Sequence, residues 1–307
     1  MSRTFEQFVK FTTDAAGLER ILRLLQSIAQ ILTSYTLPFN GLLLLLSYIS
    51  TSSDISRNGH KSPDTAATTR TVLLALRTRF NLARRFFRVF RFLDSFSAAQ
   101  KLYTDTSSNS GSNTPRLALW LEVFSRTFNG FYLLLEASLI VDAQKIDGLA
   151  LWGLEMEAGI AVEAQRFWLF ALVCSALAGV VRLVDLVTAS SLAAAPEPET
   201  VAVAGVESAD AEERRENDGP DEKSSKDEKN KQDEQLARFA RTQEVRRKMS
   251  TLIRRIIADT LDITLPGSIV GWVPASTGTV GVAMFVTTIL TSVDIWERCG
   301  RGVTGSQ

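Results

Sequence analysis

The sequence predicts an all-α, membrane-associated protein that carries basic amphipathic helices and a C-terminal hydrophobic span. Apolar residues recur at helical spacing through most of its 307 residues. Arginine recurs every seventh residue between Arg70 and Arg91, within a stretch that is otherwise largely apolar. Residues 263–293 carry no formal charge, and a helix needs only about 20 residues to cross a bilayer. Together these three patterns predict a helical chain that contacts lipid.

The overall charge balance hides a strong asymmetry along the chain. Acidic and basic residues are equal in number, yet residues 193–235 hold 14 acidic and 6 basic residues, which leaves 28 basic against 20 acidic residues elsewhere. Two cysteines and one histidine, His60 in a polar loop, provide neither a metal-binding cluster nor a catalytic base with its partners. We therefore expect no metal, no cofactor and no enzymatic activity.

Residues 1–50 are predicted to be an N-terminal helical region. Apolar residues between Thr4 and Leu32 follow helical spacing, with a break expected at residues 14–17. After Pro38, the segment GLLLLLSYIS is apolar but too short to span a bilayer, so we expect a buried helix there. Residues 51–69 are polar and are predicted to be a linker.

Residues 70–103 are predicted to form a basic amphipathic helix that binds membranes. Residues seven apart on an α-helix drift by only about 20° per step, so the arginines form one slowly winding stripe. The stripe comprises Arg70, Arg77, Arg84, Arg88 and Arg91. The apolar flank comprises Leu73, Leu76, Phe80, Phe87 and Phe90. We expect the arginines to hold headgroups of an anionic phospholipid membrane, at roughly 1 kcal/mol each, while the flank fills the acyl boundary.

The same stretch has two other interpretations. The first is a helix of a protein core whose arginines face water. The second is nucleic-acid binding, which is disfavoured because a duplex-reading helix is mostly polar and the apolar arc here is too wide to leave in water. We therefore expect no nucleic acid among the partners.

A loop is predicted at residues 104–115, followed by an apolar helical region at 116–188. Its longest uncharged run is bounded by Arg166 and Arg182, and a transmembrane helix at 167–187 requires these arginines to extend toward the headgroups. Glu136 lies in another apolar stretch. It either lines a pore or cavity, or forms the polar edge of a packed amphipathic helix.

Residues 189–235 are predicted to be a disordered acidic linker, because their low hydrophobicity cannot offset chain entropy. A second basic amphipathic helix is predicted at 236–262, and a hydrophobic transmembrane segment at 263–297. Gly278 and Gly281 are expected to allow the close approach of another helix. Helix-breaking residues predict a bend or re-entrant piece near the start of the last segment. These residues are Pro266, Gly267, Gly271 and Pro274.

Three stretches, in order along the chain, resemble the peroxisomal biogenesis factor 11 (peroxin-11) family, the peroxisomal membrane-elongating peroxins. The opening block of that family is similar to the stretch at residues 11–26, FTTDAAGLERILRLLQ. LARRFFRVFRFLDSF at 82–96 resembles the end of its membrane-binding amphipathic helix. LDITLPGSIVGWVPASTGTVGVAMFVTTILTSVDIW resembles its last hydrophobic segment. The resemblance does not extend to the acidic segment at 189–235.

The resemblance implies a protein of the peroxisomal membrane. It would insert its amphipathic helix into the cytosolic leaflet, elongate and remodel the membrane, and promote peroxisome fission and proliferation. It would form homo-oligomers and help recruit fission factors, including a dynamin-related GTPase. Two other functions stay open from the residues alone. One is a pore-forming channel for metabolites, suggested by Glu136, and the other is an adaptor that recruits partners through the acidic segment.

Overall fold

The computed structural model of the protein describes residues 3–53, 63–108, 115–144, 146, 148–194 and 220–304. Throughout these residues the regular structure is α-helical and no residue forms a strand, so the predicted all-α class is confirmed. The described residues form ten helices. Their bounds are α1 Arg3–Thr13, α2 Ala15–Ser34, α3 Thr36–Ser53, α4 Pro63–Phe86, α5 Arg91–Ser108, α6 Arg116–Ala143, α7 Gly153–Ala194, α8 Pro220–Asp262, α9 Thr264–Val270 and α10 Thr277–Thr304.

The chain divides into two compact units. The larger contains residues 1–182 and 253–307, and the smaller contains residues 183–252. In the larger unit, α2 packs against α4 and α10, while α5 packs against α6. The smaller unit contains the last turns of α7 and most of α8, where Lys248 pairs with Glu244 at 2.7 Å.

The first and last helices of the larger unit are joined by hydrogen bonds. The side-chain amide of Gln7 donates to the carbonyl of Trp296 at 2.7 Å, and Lys10 donates to the carbonyl of Gly302 at 2.5 Å. The start of the chain therefore lies beside the end of α10. The break expected at residues 14–17 is confirmed, since α1 ends and α2 begins there.

α10 approaches α2 through small residues. A Cβ atom added at Gly281 would lie 3.1 Å from Cγ of Gln30, and one added at Gly278 would lie 2.7 Å from the ring of Tyr35. The side chain of Gln30 also donates to the carbonyl of Thr277 at 2.7 Å. The predicted role of Gly281 in close helix approach is therefore confirmed.

α3 differs from the buried helix expected in this part of the sequence. Its side chains are largely exposed, reaching 84% for Leu37 and 76% for Tyr48. The helix packs against α2, from which it bends by 103°. A helix that is apolar on all sides cannot bury every side against one neighbour, which explains the difference.

The single helix predicted at 70–103 is two helices in the structure. α4 ends at Phe86, residues 87–90 form a turn, and α5 begins at Arg91. The run FFRVF at this point is aromatic and β-branched, so its helix propensity is low. The break lets α4 pack on α2 and α5 pack on α6. α5 continues to Ser108, so residues 104–108 of the predicted loop are helical. The predicted linker at 51–69 is also helical at its described residues, since 51–53 belong to α3 and 63–69 to α4, while 54–62 lie outside the described residues.

The structure describes only the two ends of the acidic segment predicted to be disordered at 189–235. Residues 189–194 belong to α7, residues 195–219 lie outside the described residues, and α8 begins at Pro220 rather than at residue 236. Proline suits the first turn of a helix. The Glu, Lys and Gln residues that follow it are strong helix formers, which explains why a highly charged sequence is helical here.

The bend predicted in the C-terminal hydrophobic segment is confirmed. α9 ends at Val270, and Gly271 takes a left-handed conformation with a φ of 85°. Residues 271–273 form a turn and a bend, and residues 274–276 have no regular secondary structure before α10 begins at Thr277. Glycine adopts a positive φ at little cost, so its position fits the place where the chain changes direction.

Two helices of the described chain are long and apolar enough to cross a membrane. They are Glu155–Ser191 within α7, which contains the predicted 167–187, and Thr277–Gly302 within α10. The bent pair of α2 and α3 adds a third candidate if it is treated as one broken span.

Candidate functional site

The inward face of α2 is polar, whereas its outward face is apolar. Glu19, Arg23, Gln26 and Gln30 are spaced by four, three and four residues, and each is buried. Residues at such spacings share one face of a helix. Leu25, on another face, is exposed. A helix on the surface of a soluble protein buries its apolar face instead, so α2 is arranged for apolar surroundings.

Arg84 of α4 is buried against this polar face. Its Nη1 donates to Oε1 of Gln26 at 2.7 Å, and its Nη2 lies 3.2 Å from Oε1 of Glu19. Burial and the guanidinium groups of Arg88 and Arg23 lower the pKa of Arg84 to about 10, against the opposing effect of Glu19. Arg84 therefore stays charged at neutral pH, and a carboxylate holds it in the interior.

Arg88, in the turn after α4, forms a second buried pair. Its Nη2 lies 2.8 Å from the carboxylate of Glu136 on α6, and its guanidinium carbon lies 5.9 Å from the ring centre of Tyr132. Burial by itself lowers the pKa of Arg88, but the Glu136 carboxylate outweighs it and raises that pKa above its ordinary value. These contacts hold the charged side chain of Arg88 between the turn and α6.

The hydroxyl of Tyr132 completes this cluster. It donates to Oε1 of Glu136 at 3.1 Å. Burial raises the pKa of Tyr132, Arg88 lowers it, and the Glu136 carboxylate raises it. The raising effects are larger, and the pKa of Tyr132 is about 12. The phenol is therefore protonated at neutral pH and available as a donor. Glu136 thus forms part of a packed polar cluster on a mostly apolar helix, and it also lines a cavity.

A further buried pair connects α2 to the C-terminal helices. Nη2 of Arg23 lies 2.5 Å from Oδ1 of Asp262 at the end of α8. The same nitrogen donates to the hydroxyl of Thr287 on α10 at 3.1 Å. Thr287 is fully buried. Polar groups therefore connect α2 to α8 and α10, which lie far from it in sequence.

Glu122 of α6 forms ion pairs with arginines of α7 and α8. It pairs with Arg182 and lies 3.9 Å from Arg255. Burial raises the pKa of Glu122, but Arg182 and Arg255 outweigh it, and the pKa is lowered overall. The carboxylate is therefore stabilised in its charged form by arginines of two other helices.

A cavity of about 370 Å³ lies between α2, α4, α6, α7, α9 and α10. Its cationic wall comes from α4 and the turn that follows it. Among the described residues that line the cavity, the arginines are Arg77, Arg84, Arg85 and Arg88, and the one carboxylate is Glu136. Trp168, Val280 and Met284 contribute apolar surface. The cavity is thus cationic on one side and apolar on another.

Arg77 is the least neutralised of the four arginines. It is partly buried. Burial lowers the pKa of Arg77, with no carboxylate among its described neighbours to oppose this effect. A cation in this position favours the binding of an anion in the cavity.

The structure places the five arginines predicted to bind membranes at different depths. Arg84 is buried, Arg88 is nearly so, and Arg77 is partly buried, whereas Arg70 and Arg91 are exposed. The stripe is therefore divided between the interior and the surface. Arg70 and Arg91 are the members of the stripe that a headgroup can reach directly.

The predicted apolar flank lies mainly at the surface. Leu76, Phe87 and Phe90 are exposed, while Leu73 and Phe80 are partly buried. Phe90 is the most exposed of the five, at 74%. Together with two further exposed side chains, the aromatic residues of the turn form what we call the outward apolar patch. It comprises Phe86, Phe87, Phe90 and Leu93.

The partners of the buried arginines were not predicted from the sequence. Glu19, Gln26 and Tyr132 lie on helices whose other residues are mostly apolar. The available signal was the regular spacing of the polar residues on α2, which marks a polar face in an otherwise apolar helix.

A family model, peroxisomal biogenesis factor 11 (PEX11), matches residues 42–296. The chain belongs to the PEX11 family. This confirms the resemblance to the family. The second and third of the three sequence stretches lie within the matched residues, and the first, at residues 11–26, precedes them. No curated protein and no solved structure matches the chain. PEX11 proteins are peroxisome biogenesis factors and are not known as enzymes.

In this PEX11-family chain, the residues that match the family model include most of those that line the cavity. α4, α6, α7, α9 and α10 all contribute to that wall within residues 42–296, whereas the contribution of α2 precedes them. The family is peroxisomal, and the two candidate spans are those expected of a membrane-associated member.

Proposed function

We propose that this protein resides in the peroxisomal membrane and elongates and remodels it, which promotes peroxisome fission and proliferation. It would do so by inserting the outward apolar patch into one leaflet. The observation that carries the proposal is that this patch is exposed while Arg84 and Arg88, in the same segment, turn inward. Exposed clusters of large apolar side chains mark surfaces that contact lipid or protein. Membership of the PEX11 family supports the choice of organelle and process.

Burial of the patch in lipid would supply the driving force. A Phe or Leu side chain that becomes fully buried gains roughly 1.5–3 kcal/mol, and the gain here is smaller because the four side chains are already partly covered. Arg70, Arg79 and Arg91 are exposed and would add roughly 1 kcal/mol each near an anionic leaflet. Insertion expands one leaflet relative to the other, and the difference in area favours curvature.

The test uses the full-length protein reconstituted into small anionic liposomes that are then imaged by electron microscopy. We expect the wild-type protein to produce tubules and the double variant Phe87→Glu with Phe90→Glu to lose them, because two buried charges oppose insertion. Phe239→Glu makes the same change at an exposed Phe of α8 and should preserve tubulation. Equal tubulation by the double variant and the wild type would show that the patch is not the wedge.

The proposal includes the partners that the resemblance implies. They are further copies of this chain, and fission factors including a dynamin-related GTPase. Family membership is the support for both. Chemical cross-linking of the reconstituted protein at increasing density tests self-association, and co-sedimentation of a purified dynamin-related GTPase with the proteoliposomes tests recruitment. A monomeric chain, or a GTPase that stays in the supernatant, would contradict the respective part.

A channel for metabolites is the second candidate function. The cavity favours it, because four arginines and Glu136 line a polar space beside helices that are candidates to cross a membrane. Conductance of the purified chain in planar bilayers, altered by Glu136→Gln, would support this function. An electrically silent bilayer that contains the protein would contradict it.

A further inference from the structure

The cavity holds more positive charge than its own carboxylate neutralises. Arg85 and Arg88 share Glu136, at 3.7 and 2.8 Å, and Arg84 pairs with Glu19 on α2. Arg77, the fourth arginine of the lining, has no carboxylate among its described neighbours. The cationic wall therefore carries charge that the described part of the protein does not neutralise.

Two hydrogen-bond donors of the cavity lining have no hydrogen-bond partner among the described residues, and neither do two acceptors, Oε2 of Glu136 and Oε1 of Gln165. The Nε atoms of Arg85 and Arg88 are buried and have no hydrogen-bond partner among the described residues. Buried polar groups are almost always paired with protein, water or ligand. An anion in the cavity would supply acceptors for the arginine donors and reduce the repulsion between the guanidinium groups at the same time.

The dimensions and walls of the cavity indicate the kind of anion. Its volume of about 370 Å³ falls in the range of ligand sites, roughly 300–1,000 Å³, and exceeds what one small ion requires. Arginine is well suited to phosphate, because its planar fork of donors matches the phosphate oxygens. The apolar wall of Trp168, Val280 and Met284 fits a carbon framework attached to the phosphate.

We propose that this cavity binds a phosphate group, with Arg77 as its principal cation, and that the apolar wall contacts the organic group that bears it. The phosphate belongs either to a phospholipid headgroup or to a free phosphate ester. This inference goes beyond membrane shaping and does not depend on it. It rests on arginines that face inward, whereas membrane shaping rests on the outward apolar patch.

The test is calorimetric titration of the full-length protein, purified in a neutral maltoside detergent. The probes are inorganic phosphate, glycerol 3-phosphate and dihexanoyl phosphatidic acid below its micellar concentration. We expect at least one probe to bind, and Arg77→Gln to weaken that binding about tenfold or more through loss of a charge-assisted hydrogen bond. Binding of the lipid alone would assign the site to a headgroup, and binding of glycerol 3-phosphate as well would assign it to a soluble ester.

Matched variants separate a built site from general surface charge. Arg79→Gln removes an arginine from the same helix at an exposed position that is not part of the cavity lining, and it should leave affinity unchanged. Asn81→Asp adds a carboxylate to the cationic wall and should weaken binding independently of Arg77. The proposal is overturned if no probe binds the wild-type protein, if Arg79→Gln weakens binding as much as Arg77→Gln, or if Asn81→Asp has no effect.

The two proposals are measured separately. Arg77→Gln should lose phosphate binding and still tubulate liposomes. The double variant at Phe87 and Phe90 should lose tubulation and still bind phosphate. Loss of both properties in either variant would contradict the independence of the two sites.

Discussion

The inward and outward faces of the segment formed by α2, α4 and the turn after α4 are opposite in character. The inward face joins Glu19, Gln26 and Arg84 through hydrogen bonds and ion pairs, while the outward face presents Leu25 and Phe90. A protein in water would expose the first set and bury the second. In lipid, helices gain no hydrophobic force by associating with one another. The difference between the two faces therefore indicates that polar side chains determine which helices contact one another here. The apolar side chains face outward, away from the protein.

The largest effect is expected from breaking the inward network. Glu136→Ala leaves Arg88 charged and buried without its carboxylate, and we expect the free energy of unfolding to fall by about 3–5 kcal/mol. Chemical unfolding of the detergent-solubilised protein measures it. Glu244→Ala removes an exposed pair with Lys248 and should leave the unfolding midpoint unchanged. An unchanged midpoint in Glu136→Ala as well would show that the inward pair does not stabilise the fold.

A smaller effect is expected from acid. Although burial raises the pKa of Glu122, Arg182 and Arg255 lower it below its ordinary value in the folded chain. Its stabilising contribution is therefore complete above the unfolded pKa of about 4.3, and it is lost as the pH falls through the folded pKa. Glu122→Gln should flatten the dependence of the thermal midpoint on pH below about pH 5. A variant that is as sensitive to acid as the wild type would contradict this account.

The smallest effect on folding is expected at the outward apolar patch. Phe90→Ser should change the free energy of unfolding by no more than about 0.5 kcal/mol, because 74% of this residue is exposed. The same variant should recover less protein with anionic liposomes in a flotation assay, while Phe90→Leu keeps an apolar side chain and most of the binding. A large loss of stability in Phe90→Ser would mean that this face packs against protein.

The helices and candidate spans could be predicted because they depend on local pattern. The uncharged run at 263–293 predicts α10, and the neighbouring Pro266 and Gly271 predict the bend that precedes it. Hydrophobic periodicity likewise predicts α2 and α6. These features need no knowledge of what each helix contacts.

The depth of the arginine stripe could not be predicted in the same way. Periodicity shows that residues share a face, but it does not show whether that face meets lipid, water or protein. Arg84 pairs with Glu19, 65 residues away, and Arg88 pairs with Glu136, 48 residues away. No local pattern connects residues that far apart. The turn after α4 depends on the same distant contacts, since it allows α4 and α5 to pack on different helices.

The hydrogen bonds between α1 and the end of α10 limit how many times the chain between them can cross a bilayer. Gln7 and Lys10 bind the carbonyls of Trp296 and Gly302, which lie at one end of a candidate span. If α10 spans the bilayer, α1 and the end of α10 lie on the same side of it, so the chain between them crosses the bilayer an even number of times. Protease-sensitive tags placed before Arg3 and after residue 304 should therefore be cleaved from the same side of the membrane.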